Sequence, residues 1–149
     1  MQKIIVLIFL GAFWGACNAG GEQPSNPTGA RPDAQLPAGF ADFYEKFHQD
    51  SLYQIAHISW PLSGDTGAAG DSTGARREPK TWNPAAWRMH RAIDLGSGEF
   101  KQTFMPLGDD IVVEKIRYAA AAFGLERRFA RRSDGGWELI YYADMGELR

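Results

Sequence analysis

A chain of 149 residues with 16 basic and 18 acidic side chains, net charge −2, lacks the strongly basic surface that nucleic-acid binding requires. Its single cysteine excludes an internal disulfide, so stability has to come from a packed apolar core. The length suffices for one domain that buries well over half of its unfolded surface.

Lys3 opens the chain, and Ile4 to Trp14 (IIVLIFLGAFW) is an uninterrupted apolar or small run. As a helix it measures about 16 Å, roughly half a bilayer core, which suits a signal-peptide core and not a membrane span. The run ends in Trp14-Gly15-Ala16-Cys17, two small residues followed by the only thiol, in the layout of a lipoprotein-processing signal. Trp14 stands where such signals usually carry Leu or Val. Residues 1–16 are therefore expected to be a lipoprotein signal peptide and Cys17 the lipidation site. The alternative is an ordinary secretory signal cut after Ala16 or Ala19. A triacylated (palmitate-type) terminus meets the requirement that stable anchoring takes more than one acyl chain. Cleavage removes only one charge, Lys3, leaving a mildly acidic mature chain.

Residues 17–38, rich in Pro and Gly with almost no large apolar side chain, are expected to form a flexible, lipid-anchored tether. Asn18 follows the cysteine where an aspartate would retain a lipoprotein in the inner membrane, so the expected setting is the cell envelope, at the outer membrane and facing the periplasm. A globular domain is expected over 39–146.

Phe40, Phe43 and Phe47 recur at helical spacing, with Tyr44 beside them and Asp42, Glu45, Lys46 and Gln49 facing away. The pattern predicts an amphipathic helix with an aromatic, core-facing stripe over Phe40 to Asp50. Tyr53 to Leu62 (YQIAHISWPL) alternates as a strand, with Tyr53, Ile55 and His57 on one face and Pro61 at its end or at a sheet edge. Residues 63–81 are low in apolar side chains and read as a mobile loop insertion.

Asn83-Pro84 ahead of AAWRMHRAI predicts a second helix, capped by Asn83, burying Trp87 and Ile93 and stopping near Gly96. Glu99–Met105 reads as a strand. Asp109–Ala122 suits either a helix or a strand by spacing; its β-branched and aromatic residues favour a strand over Ile111–Tyr118. Leu125–Arg132 and Trp137–Ala143 flank Ser-Asp-Gly-Gly and predict a hairpin turning on Asp134-Gly135. That turn would set Arg131 opposite Glu138, Phe129 opposite Ile140 and Arg127 opposite Tyr142.

The element order resembles the nuclear transport factor 2-like superfamily, whose fold is a curled sheet wrapped around helices as a cone. The chain also resembles bacterial lipoprotein domains of unknown function. The likeness lies in an aromatic helix (Phe40, Phe43, Phe47) and a strand carrying Tyr53, Gln54, Ile58, Trp60, Pro61 and Leu62. It continues in the closing hairpin from Phe129 to Leu139. The resemblance implies an α+β domain, a curled antiparallel sheet with two packed helices. The wider superfamily holds both enzymes and non-catalytic binding or dimerisation modules, and fold alone does not choose between them.

The three histidines, His48, His57 and His90, stand at no metal-ligand spacing, so no metal and no cofactor are expected. His57, on the expected strand, is the candidate base, with Tyr53 or Tyr44 as its neighbour; the plainer reading is a half-buried histidine bonded to backbone or water. Arg127, Arg128, Arg131 and Arg132 crowd one strand, but alternation divides them between two faces. Trp60 and Trp87 are the candidate ligand-binding aromatics. The leading expectation is a non-catalytic, membrane-tethered module that binds a small molecule or a protein partner. The competing expectations are a cofactor-free lyase or isomerase, and a homodimer paired through the open sheet face.

Overall fold

The computed structural model describes residues 35–67, 76–120 and 124–144. The leader, Cys17 and most of the expected tether lie outside the described residues, as do 145 and 146 at the far end of the domain.

Helix α1 (Phe40–Gln49) forms where the aromatic spacing places it. Gly39 precedes it with φ 77°, and Phe40, Phe43 and Phe47 are 0, 5 and 0 % exposed. Each buried phenylalanine contributes about 2–3 kcal/mol from apolar area removed from water. The helix breaks at Asp50, whose extended backbone and carboxylate start another one: Oδ1 accepts from the amides of Leu52 (2.9 Å) and Tyr53 (3.0 Å). The result is α2 (Ser51–Ala56).

This cap overturns the expected strand at Tyr53. The alternation of apolar and polar residues there is real, but a filled cap at Asp50 commits the next turn to helix. His57 therefore ends α2 and is not a mid-strand residue; its amide bonds to the Tyr53 and Gln54 carbonyls. Strand β1 (Ile58–Gly67) begins only after it.

The expected mobile loop is in large part a hairpin. Ser63 to Gly67 of β1 pairs antiparallel with Arg77 to Thr81 of β2 (Arg77–Trp82), and only residues 68–75 fall outside the described set. Main-chain ladders need no apolar anchors. Strand β2 is an edge strand, exposed from Arg77 to Thr81, and Pro79 fits an edge because it has no N–H to offer a neighbour.

The second helix is likewise not the expected one. Asn83 does cap, its Oδ1 accepting from the Ala86 amide at 3.1 Å, but the helix is a single 3-10 turn, Pro84–Ala86. Gln54 explains the stop. Its Oε1 accepts from the His90 amide (2.8 Å) and its Nε2 donates to the His90 carbonyl (2.8 Å), so a side chain takes the backbone groups that a helix would use. Trp87 to Leu95 has no regular structure, and Trp87 and Ile93 are half-buried.

Strands β3 (Phe100–Leu107), β4 (Ile111–Tyr118), β5 (Gly124–Arg131) and β6 (Trp137–Asp144) complete a six-stranded sheet in the order β2-β1-β6-β5-β4-β3. All neighbours are antiparallel except β1 and β6, which run parallel, so the sheet is mixed. It is curled and unclosed, with α1 on its inner face. Phe40, Phe43, Phe47, Ile58, Leu62, Val112, Phe129, Trp137 and Leu139 form the core between them.

The last hairpin forms with a different turn. Gly135 alone has positive φ (84°), which fits a three-residue loop with glycine in the left-handed position; the two-residue turn would need Asp134 there as well. Arg131 consequently faces Trp137, and Phe129 faces Leu139. A bulge between Arg128 and Phe129 then restores the expected pairing of Arg127 with Tyr142.

Candidate functional site

Cross-strand pairing lines up one row of inner-face positions through five strands: Phe104, Glu114, Arg127, Tyr142 and Gly64. Glu114 and Arg127, at 0 and 1 % exposure, are the charged members of that row. Arg127 Nε lies 2.7 Å from Glu114 Oε2, and Nη2 donates to Oε1 at 3.1 Å. Oε1 also accepts from the Tyr44 hydroxyl (2.5 Å) and from Gln102 Nε2 (2.7 Å), and Gln102 reaches the Tyr44 oxygen at 2.7 Å.

His48 closes the other side. Its Nδ1 lies 2.8 Å from the Tyr44 carbonyl, which can only accept, so Nδ1 carries the proton. Nε2 is then free to accept from Arg127 Nη1 at 2.6 Å. Burial, and after it the Arg127 charge, hold the imidazole below its ordinary pKa. Burial also lifts the Tyr44 hydroxyl well above the usual phenol range, with the Glu114 charge adding to it. The cluster is thus a neutral histidine, a neutral phenol, and one carboxylate matched to one guanidinium.

Next to it, a ring group spans β1, β2, β6 and the 87–90 segment. Trp60 meets Trp87 edge to face at 5.7 Å, Trp87 meets Tyr142 at 5.7 Å, and Tyr142 meets Trp82 at 5.0 Å. His90 lies between Trp87 (4.3 Å) and Tyr142 (4.7 Å). All five are half-buried. Gln54, fully buried, sets this group: it bonds both backbone polar groups of His90, accepts from Trp87 Nε1 (3.0 Å), and donates to the Phe47 carbonyl (2.7 Å). Burial and then the Arg127 charge push His90 down to about 3, so it is neutral at physiological pH. Burial raises Tyr142 to about 12.

Of the residues singled out in the sequence, Tyr44 enters the buried cluster, and Trp60 and Trp87 touch within the ring group. Tyr53 and His57 stack on each other at 3.8 Å, and His57 Nδ1 donates to the Tyr53 carbonyl at 2.8 Å. Tyr44 directs its hydroxyl to Glu114 and not to His57. Cys17 lies outside the described residues. Sequence reasoning did not single out Glu114 or Gln102, and it named Arg127, Tyr142, Gln54, His48 and His90 without bringing them into one site. One signal was available: Val112, Glu114 and Ile116 alternate onto the same face, so a carboxylate sat on an apolar stripe.

Among the described residues no cluster of three or more His, Cys, Asp or Glu could hold a metal ion. Among them, too, no helix is long and apolar enough to cross a membrane.

No family model matches the chain, and no curated protein matches it. Solved structures do. A cystatin-like protein from Bacteroides caccae ATCC 43185 superposes with a TM-score of 0.54 at 18 % identity, over 74 % of this chain and 80 % of that one. An NTF2-like protein from Bacteroides fragilis NCTC 9343 superposes with a TM-score of 0.51 at 18 % identity, over 74 % of this chain and 48 % of the other. The fold is therefore the NTF2-like, cystatin-like α+β cone.

Proposed function

We propose that the protein is a lipid-anchored module of the cell envelope, held through Cys17 at the outer membrane and facing the periplasm. In this reading it binds a small molecule without catalysis, at the ring group of Trp60, Trp82, Trp87, His90 and Tyr142. The observation that carries the binding half is the closure of the polar cluster. Glu114, Arg127, Tyr44, His48 and Gln102 bond one another, so none of these five is left poised for substrate as a base or acid. A lyase or isomerase needs such a group beside the reacting atoms. His57, the candidate base, ends α2 and stacks on Tyr53, and the Tyr44 hydroxyl expected beside it is bonded to Glu114 instead. What remains for a ligand is the half-exposed aromatic surface, which suits planar or apolar groups. The anchoring half rests on the apolar leader ending in Gly15-Ala16-Cys17 and the Pro-rich segment after it.

Two measurements test the two halves. The mass of the mature N-terminus should show an acylated Cys17, and Cys17→Ala should release the protein from membranes; unchanged attachment would sink the anchor. Titration with 8-anilinonaphthalene-1-sulfonate, followed by fluorescence, should saturate, and Trp87→Ala should weaken it about tenfold, equivalent to about 1.4 kcal/mol. Binding that never saturates, or that ignores Trp87, would remove the ring group as the site.

A further inference from the structure

The short helix α2 turns two large apolar side chains outward, one turn apart: Leu52 is 79 % exposed and Ile55 39 %. Trp60 extends this surface. It donates its indole N–H to the Ile55 carbonyl at 2.9 Å, which lays the ring against the same turn, and the exposed Pro61 follows it. Three cations belong to the segments that adjoin this surface. Lys46 Nζ sits 4.3 Å over the Tyr53 ring on α2, and the exposed Arg88 and Arg91 follow Trp87, whose ring touches Trp60. Carboxylates stand in the same region: Asp50 turns its own back onto the α2 amides, Glu45 accepts from Gln49 at 2.9 Å, and Asp42 is exposed on α1.

We propose that the Leu52–Ile55–Trp60 surface rests on the headgroup region of the anionic bilayer that holds the Cys17 anchor. The inference depends on the anchored reading above and adds an orientation to it. Indole rings favour the membrane–water boundary, apolar side chains enter the shallow acyl region, and lysine and arginine pair with anionic headgroups. Two aliphatic side chains and one indole bind a bilayer weakly by themselves. A tether converts that contact into an intramolecular one at high effective concentration.

The lengths permit it. In the anchored reading, about twenty residues of Pro- and Gly-rich tether would span on the order of 25 Å on average. Helix α1 adds ten residues, about 15 Å, between the tether exit and α2. The patch therefore lies within reach of the surface in which the anchor sits.

The test uses the full mature protein recovered from membranes, with its N-terminal mass recorded. It is reconstituted into vesicles of phosphatidylethanolamine and phosphatidylglycerol carrying brominated acyl chains. Tryptophan emission should shift to the blue and be quenched by bromine. Both effects should be lost in the double variant Leu52→Glu with Ile55→Glu, whose side chains are exposed and whose thermal midpoint should match the parent. Trp60→Phe should remove the quenched component. With an acylated Cys17, absent quenching, or quenching that the double variant keeps, would overturn docking. So would a concentration-dependent mass, lost in the double variant, without quenching; the patch would then be covered by a second copy. If the N-terminus carries no acyl group, the anchored reading fails by itself. The same vesicles added to the soluble chain then still decide docking: quenching that needs Leu52 and Ile55 keeps it, and none overturns it.

Discussion

Glu114 and Arg127 occupy directly paired positions on β4 and β5 and meet inside the curl of the sheet, with Nε 2.7 Å from Oε2 and Nη2 3.1 Å from Oε1. Both side chains are essentially inaccessible to water. Desolvating two charges costs about as much as their attraction returns, so the pair adds little net stability over a well-packed apolar substitute. What it fixes is geometry. Tyr44 and His48 on α1 and Gln102 on β3 all hydrogen-bond to one or other member, which sets how the helix lies across three strands.

Removing one partner should therefore be worse than removing both. Glu114→Leu leaves the guanidinium buried beside a neutral histidine, Arg127→Met leaves the carboxylate buried without its cation, and each should destabilise by about 3–5 kcal/mol. Glu114→Leu with Arg127→Met should cost clearly less than the two single losses added together. Urea unfolding of the four proteins closes the cycle. Additive losses would show that the two residues do not act as a pair.

Acid should loosen the fold through its buried histidines. His48 is held below its ordinary pKa and His90 at about 3, so the unfolded chain binds protons that the native state refuses. The stability that this neutrality contributes is fully present above the unfolded value near 6.5 and is lost as pH falls from there towards the folded values. Each histidine sets a slope of about 1.4 kcal/mol per pH unit inside that window. His90→Phe keeps a ring between Trp87 and Tyr142 and should flatten the fall in thermal midpoint between neutral and acidic pH. A variant as acid-sensitive as the parent would exclude His90 as the cause.

The elements that could be read in advance were those whose side-chain pattern and local chemistry did not conflict. Phe40, Phe43 and Phe47 mark both a helix and its buried face, and over Ile111–Tyr118, where spacing leaves helix or strand open, β-branching decides for the strand that forms. The misreadings arose where the bond of one polar side chain decided, local in one case and long-range in the other. Tyr53 to His57 alternates like a strand, yet the Asp50 cap makes it helical. Asn83-Pro84 starts a helix that Gln54, more than thirty residues upstream, cuts short. The site was hidden for the same reason. Glu114 and Arg127 are 13 residues apart, and only the register of β4 on β5 brings them opposite each other. Even the final hairpin kept Arg127 opposite Tyr142 only because a bulge offset the different turn.

Gly64 is needed at its place for space, not for a special backbone angle. A Cβ there would stand 1.7 Å from the Tyr142 carbonyl oxygen and 2.8 Å from the Trp82 ring. Since backbone occupies that volume, Gly64→Ala has to push β1 away from β6 at the one parallel junction of the sheet. The loss should reach about 3 kcal/mol or more, at the upper end of overpacking effects. Gly98→Ala makes the control: φ is 74° but nothing lies within 4 Å, so only the left-handed backbone penalty of about 1–2 kcal/mol applies. Equal thermal midpoints for the two variants would contradict the close approach.

Gln54 should govern the ring group without changing the rest of the core. Its amide is saturated, with two bonds given (Phe47 and His90 carbonyls) and two accepted (His90 amide and Trp87 indole). Gln54→Leu fills much of the same volume but leaves those four groups without their partner. At about 1 kcal/mol for each hydrogen bond lost, the variant should be destabilised by about 2–4 kcal/mol, since some of the groups regain water. The distribution of the loss is the sharper test. Gln54 hydrogen-bonds the 87–90 segment to α2, whereas β4, β5 and β6 keep their own ladders. Amide hydrogen exchange at His90 should accelerate more than at Phe129 or Leu139, and 8-anilinonaphthalene-1-sulfonate should bind more weakly than to the parent. Uniform acceleration across the sheet would instead make Gln54 an ordinary core residue with no particular hold on the rings.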